Sequence, residues 1–355
     1  MTPRERVLAI LNREKVDRIP VDFWCTAEVL DDLFHYFGVT DQLTLFKAMH
    51  VDKIVAGWIS FERKGEVVPE GEFPRGMYGN RFRLVKSGLA TYSESIGYPM
   101  MDISCRQAID DYPWWPEFED FDLDKSVESF VKPHQSGFAT YGMWNSFLEN
   151  YNSLRGIENA LLDLAMEPEM VDYVLDKIED LQLSVLDAFL PKVKGILDLV
   201  YVSDDMGSQT SLLISPEMWE DHFAPRMKRI CNKIHSYGMK VFYHSDGACG
   251  PIVERLIDCG IDILNPIQHI CPGMAPGTLK DKFGDKVIFH GGVDTQSVMP
   301  FGSTDEVRKE VNMLLDTLGR DQAGYICASC HNLQAGTPVA NIMTMVETVL
   351  ERNSR

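Results

Sequence analysis

Basic residues are scarce: Lys and Arg total 34 against 53 Asp and Glu, a net charge of −19 over 355 residues. A duplex phosphate backbone is repelled by such a chain unless its few cations gather on one face, so nucleic acid is not an expected partner. No run approaches the ~20 consecutive apolar residues that span a bilayer, and Met1 to Leu8 hold no apolar stretch of signal-peptide length. A soluble, cytoplasmic protein with no membrane partner is expected. Eight cysteines are too few for a disulfide scaffold at this length, and Cys25, Cys105, Cys231 and Cys259 read as small core hydrophobes. No Gly-x-Gly-x-x-Gly turn follows a strand, which removes the usual evidence for a dinucleotide-binding sheet. What is present is a composition 45% hydrophobic and 25% charged, enough to bury a full core and to exclude disorder.

Thr2-Pro3-Arg4-Glu5 supplies a cap, a proline at the first helical position and a glutamate three residues after the cap, so a short helix opens the chain. Extended segments follow around Val21 to Phe23 and over residues 51–56. From about Glu62 to Gln107, short strand-like runs such as Phe82-Arg83-Leu84-Val85 and Ala90-Thr91-Tyr92-Ser93 suggest an antiparallel insertion. The Tyr112-Pro113-Trp114-Trp115 stretch, doubly broken by proline, reads as a surface loop. Helices are expected over residues 156–166 and 168–190. Strand-like runs at residues 197–202, 240–243, 261–264, 287–289 and 325–327 then alternate with helical stretches at 216–237, 251–259, 304–318 and 338–352. Strand and helix in alternation demand parallel pairing with right-handed crossovers. The expected fold is α/β: one (β/α)₈ barrel domain over residues 1–355 with an early β-rich insertion, a doubly wound open sheet being the alternative.

Chemistry in such barrels sits on the loops after the strands. Five successive strand ends carry Ser203-Asp204-Asp205-Met206-Gly207-Ser208-Gln209, His244-Ser245-Asp246-Gly247, Asn265-Pro266-Ile267-Gln268, His290-Gly291-Gly292-Val293-Asp294 and Cys327-Ala328-Ser329-Cys330-His331-Asn332. Polar groups so crowded on one rim must be hydrated or paired; individually, Asp204, Asp246 and Asn265 also read as loop caps. His244 and Asp246 with Cys330 or His331 offer imidazole, carboxylate and thiolate, a mixed set that suits zinc with one open position. The metal-free alternative makes His244 and His331 proton-transfer groups.

Several of these strings, together with residues 4–23, Leu154-Arg155-Gly156-Ile157-Glu158, Ile214-Ser215-Pro216-Glu217, Gly291-Gly292-Val293-Asp294-Thr295-Gln296 and His331-Asn332-Leu333-Gln334 before Thr337-Pro338, resemble the uroporphyrinogen decarboxylase superfamily across almost the whole chain. The resemblance implies a barrel that either decarboxylates porphyrinogens or moves methyl groups to and from a corrinoid protein. Decarboxylases of the family carry Arg-Gln-Ala-Gly-Arg-Tyr after the first strand, whose arginines hold the substrate carboxylates; here the place reads Phe23-Trp24-Cys25-Thr26-Ala27-Glu28, without arginine. Methyltransferases of the family carry a zinc site of His-x-Cys and a distant Cys. This chain has His244-x-Asp246, and Cys330 or His331 at the distant place. A harder donor set suits an oxygen-bearing substrate.

The resemblance therefore implies an O-demethylating methyltransferase: zinc on His244, Asp246 and Cys330, His331 and Asp205 as catalytic groups, and a corrinoid supplied by a partner protein. The methyl donor is a small, methoxylated aromatic molecule, with Trp24, Met206 and Tyr243 as walls and Gln209 and Asn265 as hydrogen-bonding groups. The partner docks at the barrel mouth, where the Tyr112 to Trp115 loop is a candidate, and a homodimer is left open. Two other classes stand beside it: a metal-free decarboxylase of a smaller acid using His331 and Asp205, and a non-catalytic tetrapyrrole or corrinoid carrier.

Overall fold

The computed structural model describes residues 1–64, 66, 68, 72–103 and 105–352. Seven parallel strands lie side by side in chain order, Val55–Ala56, Thr140–Asn145, Leu199–Ser203, Lys240–His244, Ile263–Asn265, Ile288–Val293 and Tyr325–Ser329. The extended segment at Val21 closes the ring. Asp22 N donates to Cys327 O and Cys327 N to Pro20 O, both at 2.9 Å, while Asp52 N donates to Val21 O at 2.7 Å on the other flank. Just beyond, Trp24–Cys25 pairs in parallel with Asn332–Leu333. The fold is a (β/α)₈ barrel.

Period-two alternation sorts the side chains of each strand. Leu199 and Tyr201, Phe242, Ile263, Ile288 and Ile326 share the barrel interior with Ile54 and Ala139. Val200, Val202, Val241, Tyr243, Leu264, Phe289 and Cys327 belong to the core between sheet and helices. The Pro3–Leu11 helix, fixed by the Thr2–Glu5 capping box and Pro3, sends Val7, Ile10 and Leu11 into the interior cluster and so plugs the barrel floor. Its Arg6 shares the fully buried Asp52 carboxylate with Arg18, and Val21 N donates to that carboxylate at 3.0 Å.

The insertion is a hairpin, Phe82–Ser87 against Ala90–Ser95, joined at Gly88, whose φ of +59° suits a tight two-residue turn. It lies against the loops of the barrel mouth: Tyr92 Oη donates to Gln334 Oε1 at 2.7 Å and Thr91 N to Glu28 Oε1 at 3.2 Å.

Two sequence expectations need correction here. Tyr112 to Trp115 is not a free surface loop. Tyr112 is buried, its hydroxyl donates to Tyr78 O at 2.8 Å, Trp115 Nε1 donates to Ile109 O at 2.6 Å, and Arg75 stands 4.3 Å over the Trp114 ring. Prolines turn the segment inward and its aromatic rings anchor the insertion, so it offers little to a docking partner. Cys105 is exposed and Cys25 half-buried, while Cys231 and Cys259 are core thiols as expected.

Candidate active site

The strand that ends at His244 alternates Phe242 and His244 inward, and the loop beyond it carries Asp246. The last barrel strand delivers His331. His244 Nε2 lies 3.9 Å from Asp246 Oδ1, and His331 Nε2 lies 3.7 Å from Asp246 Oδ2. The three ligand atoms all fall within 4.8 Å of one another. Tetrahedral zinc with bonds of about 2.0–2.1 Å sets its donors roughly 3.4 Å apart, so small rotamer changes at Asp246 and the half-exposed His331 would bring this set to coordination distance. Burial pushes the Asp246 carboxyl up from its ordinary value, against the pull of both imidazoles. A bound cation would relieve that cost.

A chain of hydrogen bonds behind His244 decides which of its nitrogens is free. Asp22, fully buried, can only accept, so His290 must carry its proton on Nε2, 3.1 Å from Asp22 Oδ2. Burial lowers the His290 imidazole below its ordinary value and keeps it neutral, so its Nδ1 accepts from Asn265 Nδ2 at 2.7 Å. That turns Asn265 Oδ1 toward His244 Nδ1, which donates at 2.5 Å. The lone pair of His244 Nε2 is thereby left facing Asp246 and Asp205. At the far end burial opposes the charge on Asp22, but Lys53 Nζ at 3.1 Å and His290 outweigh it and hold the carboxyl below its usual range.

Asp205 reaches the same place, with Oδ1 3.7 Å from His244 Nε2 and accepting from Asp246 N at 2.8 Å. Trp24 stacks on the His244 ring at 5.7 Å and on Tyr141 at 6.1 Å. Asn265 is the hinge of the relay rather than a group open to ligand. Gln209 Oε1 accepts from Gln268 Nε2 and Gln296 Nε2 at 2.9 and 3.0 Å and so ties three rim loops together.

Three residues singled out in the sequence stand elsewhere. Cys330 is buried with its thiol on Ile267 O at 3.4 Å, outside the His244–Asp246–His331 group, and burial pushes that thiol well up from its ordinary value. Tyr243 alternates to the outer face of its strand and donates to Asp204 O at 3.3 Å; Met206 is fully buried in the same outer core. Neither can wall a ligand at the mouth.

The structure also brings in Glu149 and Asp22, which the sequence did not single out, and makes Asp204 the cap it was read as. Glu149 receives Ser203 Oγ at 2.7 Å and Trp144 Nε1 at 3.0 Å, and burial pushes its carboxyl up. Asp204 accepts the N–H groups of Phe147 and Glu149 at 3.0 Å, a cap for the Leu148–Arg155 helix. His290 and Asp22 carried one signal: polar residues on the inward period of barrel strands.

Two expectations follow. Cys330→Ala will keep the wild-type metal content, read by elemental analysis; loss of metal would return the thiol to the ligand set. Asn265→Leu will weaken zinc binding about 10–100-fold in a competition titration, because an orienting partner behind a ligand imidazole is worth that much; unchanged affinity would remove the relay's role.

The family profile described as uroporphyrinogen decarboxylase matches residues 145–352, a span that holds Glu149, Asp205, His244, Asp246, Asn265, His290 and His331. The chain belongs to the uroporphyrinogen decarboxylase family. Two relatives, the uroporphyrinogen decarboxylases of Vibrio vulnificus strains YJ016 and CMCP6, are each 25% identical over 190 residues, covering 52% of this chain and 49% of each relative. The chain thus spans about half the length of these curated relatives. A solved methyltransferase from Methanosarcina mazei superposes with a TM-score of 0.69 over 99% of both chains at 16% identity, which shows the shared fold. Among the described residues no helix is long and apolar enough to cross a membrane.

Proposed function

We propose that this family member is a corrinoid-dependent methyltransferase that takes a methyl group from an oxygen of a small methoxylated aromatic molecule and passes it to the cobalt of a corrinoid protein. The observation that carries the reading is the His244–Asp246–His331 group with a lone pair of His244 directed into it. These residues would hold zinc, and the donor set, two imidazoles and a carboxylate, fits it with a position to spare. Zinc bound there supplies Lewis acidity to an ether oxygen, whose phenolate is otherwise a poor leaving group.

The chain's own residues do the rest. Asn265, His290 and Asp22 hold the His244 ring in one tautomer and orientation. Asp205, beside His244 Nε2 and half exposed, is placed to hold a proton or a water at the open side. Trp24 covers the inner face of His244 and keeps water off it.

Decarboxylation is the second reading, favoured by the family and its Vibrio relatives. It would use His331 and Asp205 for proton transfer and release carbon dioxide without a corrinoid. Phe23 to Glu28 lacks the arginines that a polycarboxylate needs, which weighs against it. The test is to incubate purified protein, with and without zinc, with a Co(I) corrinoid protein and 2-methoxyphenol. Methylcobalt absorbance together with catechol release supports the methyltransferase. Carbon dioxide from an acid substrate with no corrinoid requirement overturns it.

A further inference from the structure

A cavity of about 380 Å³ lies between the ends of the Val55–Ala56 and Thr140–Asn145 strands and the insertion that covers them. That is within the size of small-molecule sites, about 300–1,000 Å³. Its walls include Trp58, Tyr78, Phe82, Tyr141, Trp144 and Tyr201, and none of its lining residues carries a charge. Tyr201 belongs to both places: it lines the cavity, and its ring stands 5.9 Å from the His244 ring. Tyr201 thus links the cavity wall to the ligand cluster.

The amides on the walls are tied to the backbone. Asn80 Nδ2 donates to Ser153 O, Asn145 Nδ2 to Met143 O, Asn150 Nδ2 to Ser146 O and Gln182 Nε2 to Ser146 O. Each amide thus gives at least one N–H to the backbone and keeps its carbonyl oxygen. On Gln182, itself buried, that oxygen has no partner at all. Walls that offer amide and hydroxyl groups and π faces, without a cation, favour a neutral polar ring. A carboxylate would find no cation there to offset its desolvation.

We propose that this cavity binds the body of a neutral, hydroxyl-bearing aromatic molecule, a phenol and not a benzoate. The inference rests on the methyltransferase reading for the identity of the reacting end, and on the cavity alone for the class of ligand. The test is calorimetric titration of the protein, without corrinoid, with 2-methoxyphenol and with 3-methoxybenzoate. The phenol is expected to bind at least tenfold more tightly. Ala56→Phe, which fills the cavity, and Trp58→Ala, which removes a largely exposed wall residue, should each weaken it by tenfold or more, with folding checked by circular dichroism. Equal binding of the benzoate, or unchanged phenol affinity in both folded variants, overturns the proposal. Phenol binding that persists in a protein with no methyl transfer upholds the cavity and overturns the activity; methyl transfer with no cavity dependence does the reverse.

Discussion

His244→Ala will lose bound zinc and methyl transfer together. In the proposed zinc site the imidazole is one of three ligands, and a cavity in its place leaves Asp246 and His331 as a pair too weak to retain a metal against water. A Lewis acid at the leaving oxygen contributes several kcal/mol to the transition state, so its removal should cost about 10³-fold or more in rate. The fold should survive. Truncation orphans Asn265 Oδ1, which then costs about 1–3 kcal/mol, a modest loss for a barrel of this size. The measurement is zinc per chain by elemental analysis beside single-turnover methylation of the corrinoid. A variant that keeps both metal and rate would remove His244 from the site. One that keeps the rate and loses the metal would leave proton transfer by His331 and Asp205 as the working chemistry.

The largest effect on stability is expected at Arg155. Its guanidinium forms two bonds with Asp163, at 2.7 and 3.0 Å, and donates to the carbonyls of Met100, Met101 and Ile103 at 2.6, 3.1 and 2.8 Å. Both partners are about nine-tenths buried. Arg155→Met fills some of the volume but leaves the Asp163 carboxylate only the Tyr151 hydroxyl at 2.8 Å and strands three backbone acceptors, and breaking a buried pair in this way costs about 3–5 kcal/mol. The denaturant midpoint should fall accordingly, while the zinc content of the folded fraction stays at the wild-type level. The double variant Arg155→Met with Asp163→Leu should recover part of the loss, since it removes the stranded charge. A midpoint unchanged by the single substitution would show that solvent reaches the pair in the native state.

Most of the alternating half of the chain was legible because its strands are short apolar runs and two of its helices are capped by Ser215 and Ser303; the Pro276–Phe283 helix, without a side-chain cap, was not. The Thr140–Asn145 strand was not: Gly142 interrupts it, Met143 adopts a φ of +66°, and its register against the neighbouring strand shifts between Gly142 and Asn145. The site divides in the same way. His244, Asp246 and His331 could be read from strand ends, whereas the choice between Cys330 and His331 depended on a backbone turn of one residue. Tyr243 was misplaced because its strand is buried on both sides, so hydrophobicity does not say which period faces inward. Asp22 was not singled out for the converse reason. Between Val21 and Phe23 it has the pattern of a half-exposed strand, yet the polar period of that segment is the barrel interior and the apolar period meets the helices.

Closure of the ring at Val21 and Cys327 has a consequence for biosynthesis. The partners are separated by about 300 residues, so at translation rates of about 5–20 residues per second the first segment waits roughly 15–60 s for its neighbour to emerge from the ribosome. During that interval Asp52, gripped by Arg6 and Arg18, can already gather the opening helix and the first two extended segments into one local unit. The unsatisfied strand edges on either side of the growing sheet are then a matter for chaperones until the last strand arrives.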